Sequence, residues 1–218
     1  MSHEEQEYRG IPRIGDKAPN FEAVTTEGSI DFHDWKKDKW AILFSHPADF
    51  TPVCSTEMTG FAKRSAEFDE RKTKLIGLSI DSIHSHLAWR ENLKKILDTE
   101  INFPIIADLD MKVSQKYGLL HPNESATATV RAVFVIDPKN VVRAIIYYPL
   151  NVGRNLDEVV RLVDALQITD KHSVAAPVDW KPGDKVIVPP PKNVADVAER
   201  EKHDEYERFD FYLNKKSL

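Results

Sequence analysis

Between residues 41 and 147 the chain alternates short, almost wholly apolar runs with longer segments whose apolar positions recur every three or four residues. Short apolar runs bounded by turn residues read as buried strands, and the three-to-four spacing reads as amphipathic helix. The first strand is predicted over 41–46, with AILF (41–44) at its centre. A helix follows over about 52–69, with Val53, Met58, Phe61, Ala62 and Phe68 on one face. Next come a strand over 74–80, a helix over 84–98 carrying His86, Leu87, Trp89 and Leu93, and a short strand over Phe103–Ala107. Residues 111–117 read as a short helix closed by Gly118. Strands over Ala132–Ile136 and Val141–Tyr147 flank the hairpin-type turn Asp137-Pro138-Lys139-Asn140. Asn155 and Glu158 have capping-box spacing and open a helix to about Gln167, with Leu156, Val159, Val160, Val163 and Leu166 as its buried stripe. This order predicts an α/β fold, and the late antiparallel hairpin makes its central sheet mixed.

The pattern changes after residue 168. Pro177, Pro182 and the triple proline 189–191 prevent long regular elements. A charged stretch over 193–210 then carries Val194, Val197, Ala198 and Glu201 at helical spacing, a thin apolar face that needs something to pack on. Residues 211–218 are expected to fray. Two domains are therefore predicted, a main domain over 1–168 and a small C-terminal domain over 169–218.

Composition narrows the class. With 41% hydrophobic and 30% charged residues, the chain reads as an ordinary globular protein large enough for a full core. A net charge of −5 with no basic stripe argues against a nucleic-acid partner. No run approaches the ~20 apolar residues of a membrane span, and MSHEEQEYRG has no apolar leader. The single cysteine, Cys54, excludes an intrachain disulfide and a four-thiolate zinc site. A lone free thiol suits a reducing compartment, so the expected location is the cytoplasm.

The placement of Cys54 gives that thiol a possible chemistry. It ends SHPADFTPVC (45–54), where the apolar strand turns into a helix. Thr51 is placed to act as N-cap and Pro52 to take the first helical position, where its missing N–H costs nothing. Cys54 then lies in the first turn, where unpaired amides and the helix dipole favour a thiolate.

Pro47, Thr51 and Cys54 have the proline-x-x-x-threonine-x-x-cysteine spacing of the peroxiredoxin active site. The chain resembles that family over roughly 10–192, through ordered runs that also include LIGLSID (75–81), HLAWRENL (86–93), FPIIADLD (103–110), VRAVFVIDP (130–138), YYPLNVGRNLDEVVRLVDALQ (147–167) and PVDWKPGDKVIVPPP (177–191). With one cysteine it is similar to the one-cysteine, peroxiredoxin-6-like subclass. The resemblance implies a thioredoxin-like fold, a small C-terminal domain that contacts a partner subunit, and a homodimer or larger homo-oligomer.

It also implies site roles. Cys54 is the peroxidatic nucleophile, Thr51 binds the peroxide through its hydroxyl, and Pro47 shields the thiolate from water. Arg131 contacts both thiolate and peroxide. Arg154 pairs with Glu57, three residues after the cysteine. His46 is a supporting residue beside the motif. Taken alone, Arg131 and Arg154 read as solvated arginines, Glu57 as a charge that favours the helix dipole, and His46 as a structural histidine. No cofactor is expected, and no metal, because no further ligand joins His46 and Cys54 at zinc spacing.

The implied reaction reduces hydrogen peroxide and organic hydroperoxides to water and alcohols through a Cys54 sulfenic acid. Without a second cysteine, an external thiol or other small reductant must complete the cycle. An alternative is a redox-sensing or holdase-type oligomer; a thiol transferase ranks below it because no two-cysteine exchange motif is present. Some one-cysteine relatives carry a Gly-x-Ser-x-Gly lipase centre. The matching positions here are Lys37-Asp38-Lys39-Trp40-Ala41, with neither serine nor glycine, although His33 upstream matches. No phospholipase activity is expected by that route.

Overall fold

The computed structural model describes residues 10–200 and 202–218. Glu201 and residues 1–9, on which the reading of no apolar leader largely rests, lie outside the described residues. Packing divides the chain into a unit that ends at Leu156 and a second unit, Asp157–Leu218. The boundary expected at 168 thus falls within a helix. Ala165 and Ile168 of that helix pack with Trp180 and Val186, which places most of it with the C-terminal unit.

The first unit contains β1 (Glu22–Thr25), β2 (Gly28–Asp31), α1 (Phe32–Lys36), β3 (Trp40–Ser45), α2 (Pro52–Lys63), α3 (Ser65–Glu70), β4 (Thr73–Ser79), α4 (Ile83–Leu97), β5 (Ile105–Ala107), α5 (Lys112–Lys116), β6 (Arg131–Ile136) and β7 (Val142–Tyr148). Its seven-stranded sheet has the order β2-β1-β5-β4-β3-β6-β7. β3 runs parallel to β4 and β4 to β5, whereas β6 is antiparallel to both β3 and β7, so the sheet is mixed. All six residues of β3 and of β6 are buried, which explains their continuous apolar reading.

Side chains two apart along a strand share a face. Ala41 and Leu43 of β3 join Ile76, Leu78, Ala132, Phe134 and Tyr117 in one core layer. Phe44 points the other way and stacks on Phe61 of α2 with ring centroids 4.1 Å apart. This aromatic pair seats the helix that carries Cys54. The expected helix over 52–69 is two helices, because Arg64 leaves helical geometry at φ −104°, ψ 8°. Gly118 closes α5 at φ +63°, a left-handed conformation that glycine adopts without strain.

The β1–β2 hairpin and α1 carry no clear sequence signal, since the two strands are only four residues each with mixed exposure. They are anchored instead by Lys36. Its fully buried ammonium donates to the carbonyls of Lys37 (3.1 Å), Lys39 (2.8 Å) and Asp137 (2.8 Å), tying the end of α1 to the β6–β7 turn.

The next helix, α6 (Leu156–His172), starts directly after Asn155 and runs five residues past Gln167. Val159, Val160 and Val163 of the expected stripe are buried. The second unit adds β8 (Val186–Ile187), α7 (Val194–Arg200), β9 (Glu207–Asp210) and β10 (Leu213–Lys216). Within the charged stretch α7 covers Val194–Arg200, and it buries none of its residues within this chain. Residues 211–218 are not frayed, because β10 is the middle strand of a three-stranded antiparallel sheet. The buried Asn214 side chain pins that hairpin by donating to the carbonyls of Asp210 (3.1 Å) and Phe211 (3.3 Å). Among the described residues no helix is long and apolar enough to cross a membrane.

Candidate active site

β3 ends at Ser45, residues 46–51 form a loop, and α2 begins at Pro52. Thr51 occupies the N-cap position with extended backbone (φ −107°, ψ 149°), and Pro52 takes the first turn as expected. The Thr51 side chain does not cap the helix, however. Its hydroxyl donates to the Ala48 carbonyl at 2.8 Å, which closes the loop on itself. Pro47 is half-buried at a bend of the same loop. Phe50 has φ +55° and an exposed ring, so this loop carries backbone strain just ahead of the helix.

Cys54 is fully buried in the first turn of α2. Arg131, the first residue of β6, donates from Nη1 to Cys54 Sγ at 3.3 Å. A guanidinium donor at that distance favours negative charge on sulfur. Far from being solvated, Arg131 is buried, and its Nε and Nη2 donate to the Leu150 carbonyl at 3.0 and 2.6 Å.

Glu57 lies one turn beyond Cys54 on the same helix. Arg131 Nη1 donates to its Oε2 at 2.7 Å. Arg154 Nη2 donates to Oε2 at 2.6 Å, and the Arg154 Nε and backbone N both donate to Oε1 at 2.9 Å. Burial alone would raise the Glu57 pKa, but the charge and hydrogen bonds of Arg154, followed by the charge of Arg131, outweigh it and hold the carboxyl below its ordinary value. Arg154 Nη1 donates to the carbonyls of Ser45 (2.9 Å) and Ala132 (3.0 Å). The guanidinium also lies over the rings of Phe44 (5.2 Å) and Phe61 (5.5 Å). The aromatic core is therefore connected to the sulfur through Arg154, Glu57 and Arg131.

His46 is fully buried. Its backbone N donates to Leu78 O (2.9 Å), and its carbonyl accepts from the Thr129 hydroxyl (2.8 Å). Its ring Nε2 meets Asp49 Oδ1 at 2.9 Å, and Asp49 Oδ2 meets His86 Nδ1 at 2.7 Å. Sequence spacing offers no third ligand beside His46 and Cys54. Folding brings Asp49 and His86 to His46 instead, with ligand-type atoms within 4.8 Å of one another. Those atoms already satisfy each other as short hydrogen bonds. Asp49 and His86 were not legible as site residues, although Asp49 lies inside the cysteine motif and His86 opens HLAWRENL. His33 lies elsewhere, with Nε2 donating to the Ala18 carbonyl at 2.9 Å.

The AhpC/TSA family model matches residues 14–145, and the model of the C-terminal domain of 1-Cys peroxiredoxin matches 165–203. The chain belongs to the AhpC/TSA family, in its one-cysteine branch. A peroxiredoxin of Aquifex aeolicus (strain VF5) is 52% identical over 222 residues, spanning 97% of this chain and 100% of that protein. One from Hyperthermus butylicus is 53% identical, spanning 93% of this chain and 88% of that protein. Among solved structures, a yeast mitochondrial 1-Cys peroxiredoxin superposes with a TM-score of 0.87 at 44% identity, covering 95% of this chain and 100% of that one. The C45S mutant of peroxiredoxin 6 of Arenicola marina gives 0.86 at 37% identity, covering 95% and 98%. This peroxiredoxin is a thiol-dependent peroxidase with a thioredoxin-like fold.

Proposed function

We propose that Cys54 is the peroxidatic nucleophile, and that Arg131 and Thr51 hold the peroxide against it. The Arg131 Nη1 contact with Sγ at 3.3 Å carries this reading. The Cys54 thiolate attacks the terminal peroxide oxygen in line with the O–O bond. Sulfur gains that oxygen as sulfenic acid, and the departing oxygen leaves with a proton as water or an alcohol. Arg131 donates to the charge that moves from sulfur to the departing oxygen, and the Thr51 hydroxyl orients the peroxide. Pro47 keeps water from the thiolate. Glu57 and Arg154 hold Arg131 in place, and His46 supplies a buried acceptor beside the loop.

An external thiol then displaces water from the sulfenic acid to form a mixed disulfide, and a second thiol releases the Cys54 thiolate. The yeast relative is described with a thiol resolving mechanism via glutathione/thioredoxin systems, and a donor of that class is proposed here. The protein works in the cytoplasm as at least a homodimer, with the segment 169–218 contacting the partner subunit. Light scattering that found only a 24.9 kDa species would overturn the dimer.

Stopped-flow tryptophan fluorescence of the reduced protein against hydrogen peroxide, followed by mass spectrometry with a sulfenic-acid trap, tests the site. The expected result is a rate orders of magnitude above that of a free thiol, with one adduct on Cys54 and no reaction in Cys54→Ser. A rate equal to that of an ordinary thiol would overturn it.

A further inference from the structure

Hydrogen-bond geometry fixes where the protons sit around His46. The chain of bonds is anchored at the Ile106 carbonyl, which can only accept, so His86 Nε2 at 3.1 Å carries a proton. The other His86 nitrogen lies 2.7 Å from Asp49 Oδ2. Two lone pairs cannot face each other at that distance, so a proton lies between them as well. Burial would raise the Asp49 pKa, but the bonds from His46 and His86 outweigh it and hold the carboxyl far below its ordinary value. That proton therefore belongs to the ring, and His86 balances the charge of Asp49.

Asp49 Oδ1 then accepts from His46 Nε2 at 2.9 Å. The remaining nitrogen, His46 Nδ1, is buried and has no hydrogen-bond partner among the described residues. Protonating it would put a charge on a fully buried ring and create an N–H with no acceptor, and burial does hold the His46 pKa below 6.5. The groups facing His46 are Asp49 in its own loop, Asp81 after β4, and His86 with Trp89 on α4. Asp81 also fixes the loop by accepting from the Asp49 backbone N at 3.0 Å.

We propose that Asp49 and His86 are positioning residues: they hold His46 uncharged as the Nε2–H tautomer, leaving Nδ1 a bare acceptor for an O–H group in the peroxidatic pocket. This deepens, and rests on, the reading of His46 as a site residue. The logic is that of a carboxylate fixing a histidine tautomer, here with the second histidine supplying the counter-charge.

The test is ¹⁵N NMR of histidine-labelled, reduced, full-length protein near neutral pH, combined with peroxide kinetics. The expected spectrum shows His46 protonated at Nε2 and bare at Nδ1, and His86 protonated at both nitrogens. A proton on His46 Nδ1, or a bare nitrogen on His86, overturns the proposal, and this arm needs no variant. His86→Asn keeps a donor for Asp49 but removes the positive charge. His46 Nδ1 should then take up a proton, and the rate with hydrogen peroxide should fall about tenfold, the factor for one hydrogen bond of ordinary strength.

The deficit should shrink as pH rises and His46 loses its extra proton. A purely structural role for His86 would slow the reaction without moving the Nδ1 resonance or the pH profile, and that result refutes the proposal. His46→Gln separates the two levels. If it reacts as fast as the unchanged protein, the reading of His46 itself fails. If it is slow while His86→Asn leaves spectrum and pH profile unchanged, only the positioning inference fails.

Discussion

Replacing Glu57 with glutamine tests whether the buried charge cluster both holds the fold and aims Arg131. The carboxylate receives four hydrogen bonds, from Arg131 Nη1 and Arg154 Nη2 at Oε2 and from Arg154 Nε and N at Oε1. Glutamine keeps one oxygen, which can serve the pair at Oε1. Its NH₂ group then faces two guanidinium donors at 2.6–2.7 Å, an arrangement that cannot persist. Two charge-assisted bonds are lost, and two buried cations lose their counter-ion. Breaking a buried pair this way costs about 3–5 kcal/mol. At ~2–4 °C per kcal/mol for a protein of this size, the melting temperature should fall by about 6–20 °C.

Loss of the positive surplus is not the issue for the sulfur, because removing Glu57 leaves more positive charge near Cys54. The rate should fall all the same, since Arg131 loses the partner that sets its position. A shift of about 1 Å in a reacting group can cost ~10²-fold. Glu57→Asp restores the charge on a shorter stem, so it should recover part of the stability and less of the rate. Urea and thermal unfolding with stopped-flow peroxide kinetics on both variants provide the measurement. A Glu57→Gln protein as stable and as fast as the unchanged one would refute the reasoning, and one that is destabilised but equally fast would refute the aiming of Arg131.

Lys36→Met keeps the buried stem but strands the Lys39 carbonyl and leaves the Asp137 carbonyl only its bond from Asn140 N, so a stability loss of about 1–3 kcal/mol is expected with the peroxide rate unchanged; an unchanged urea midpoint would refute the role of Lys36 as a clasp. Acid should destabilise the fold below about pH 4.5. Glu57 and Asp49 both have folded-state pKa values below their ordinary 4.5 and 3.8, so the unfolded chain binds more protons in acid and stability falls as pH falls. The carboxylate share is present above 4.5 and declines below it. Urea midpoints from about pH 6 to about pH 3 should trace the decline, and a midpoint that rose on acidification would contradict the sign.

What could be read from the sequence depended on how far each signal reaches along the chain. β3, β4 and β6 are legible because burial on both faces leaves a continuous apolar run. The single break at Arg64 was not, since the apolar face continues from Phe61 through Phe68 whichever way the backbone turns there. Cys54 was legible from its place where a strand turns into a helix, whereas Glu57, Arg131 and Arg154 came from resemblance, and the structure brings all four into one buried cluster. Their residue types alone pointed elsewhere, because arginine and glutamate are ordinarily solvated. Lys36 was lost for the same reason. The Asp49–His86 bond joins residues 37 positions apart, and nothing in local pattern reports such a contact. β10 was misread because its order comes from pairing and from one buried asparagine, not from its own composition.

The cluster around Cys54 also has a charge balance that bears on the proposed cycle. With the sulfur as thiolate, Cys54 and Glu57 set two negative charges against the two positive charges of Arg131 and Arg154, all of them buried. Attack on peroxide turns the sulfur into a neutral sulfenic acid and leaves one cation without a partner. A buried unpaired charge is costly, so the oxidised site is electrostatically the less favourable one. Reduction by a thiol returns an anion to the sulfur and restores the balance. In the proposed cycle, the arginine that assists the forward attack therefore also favours return to the thiolate. Arg154 cannot substitute for it in either step, because its donors are committed to Glu57, Ser45 and Ala132 and none is directed at the sulfur.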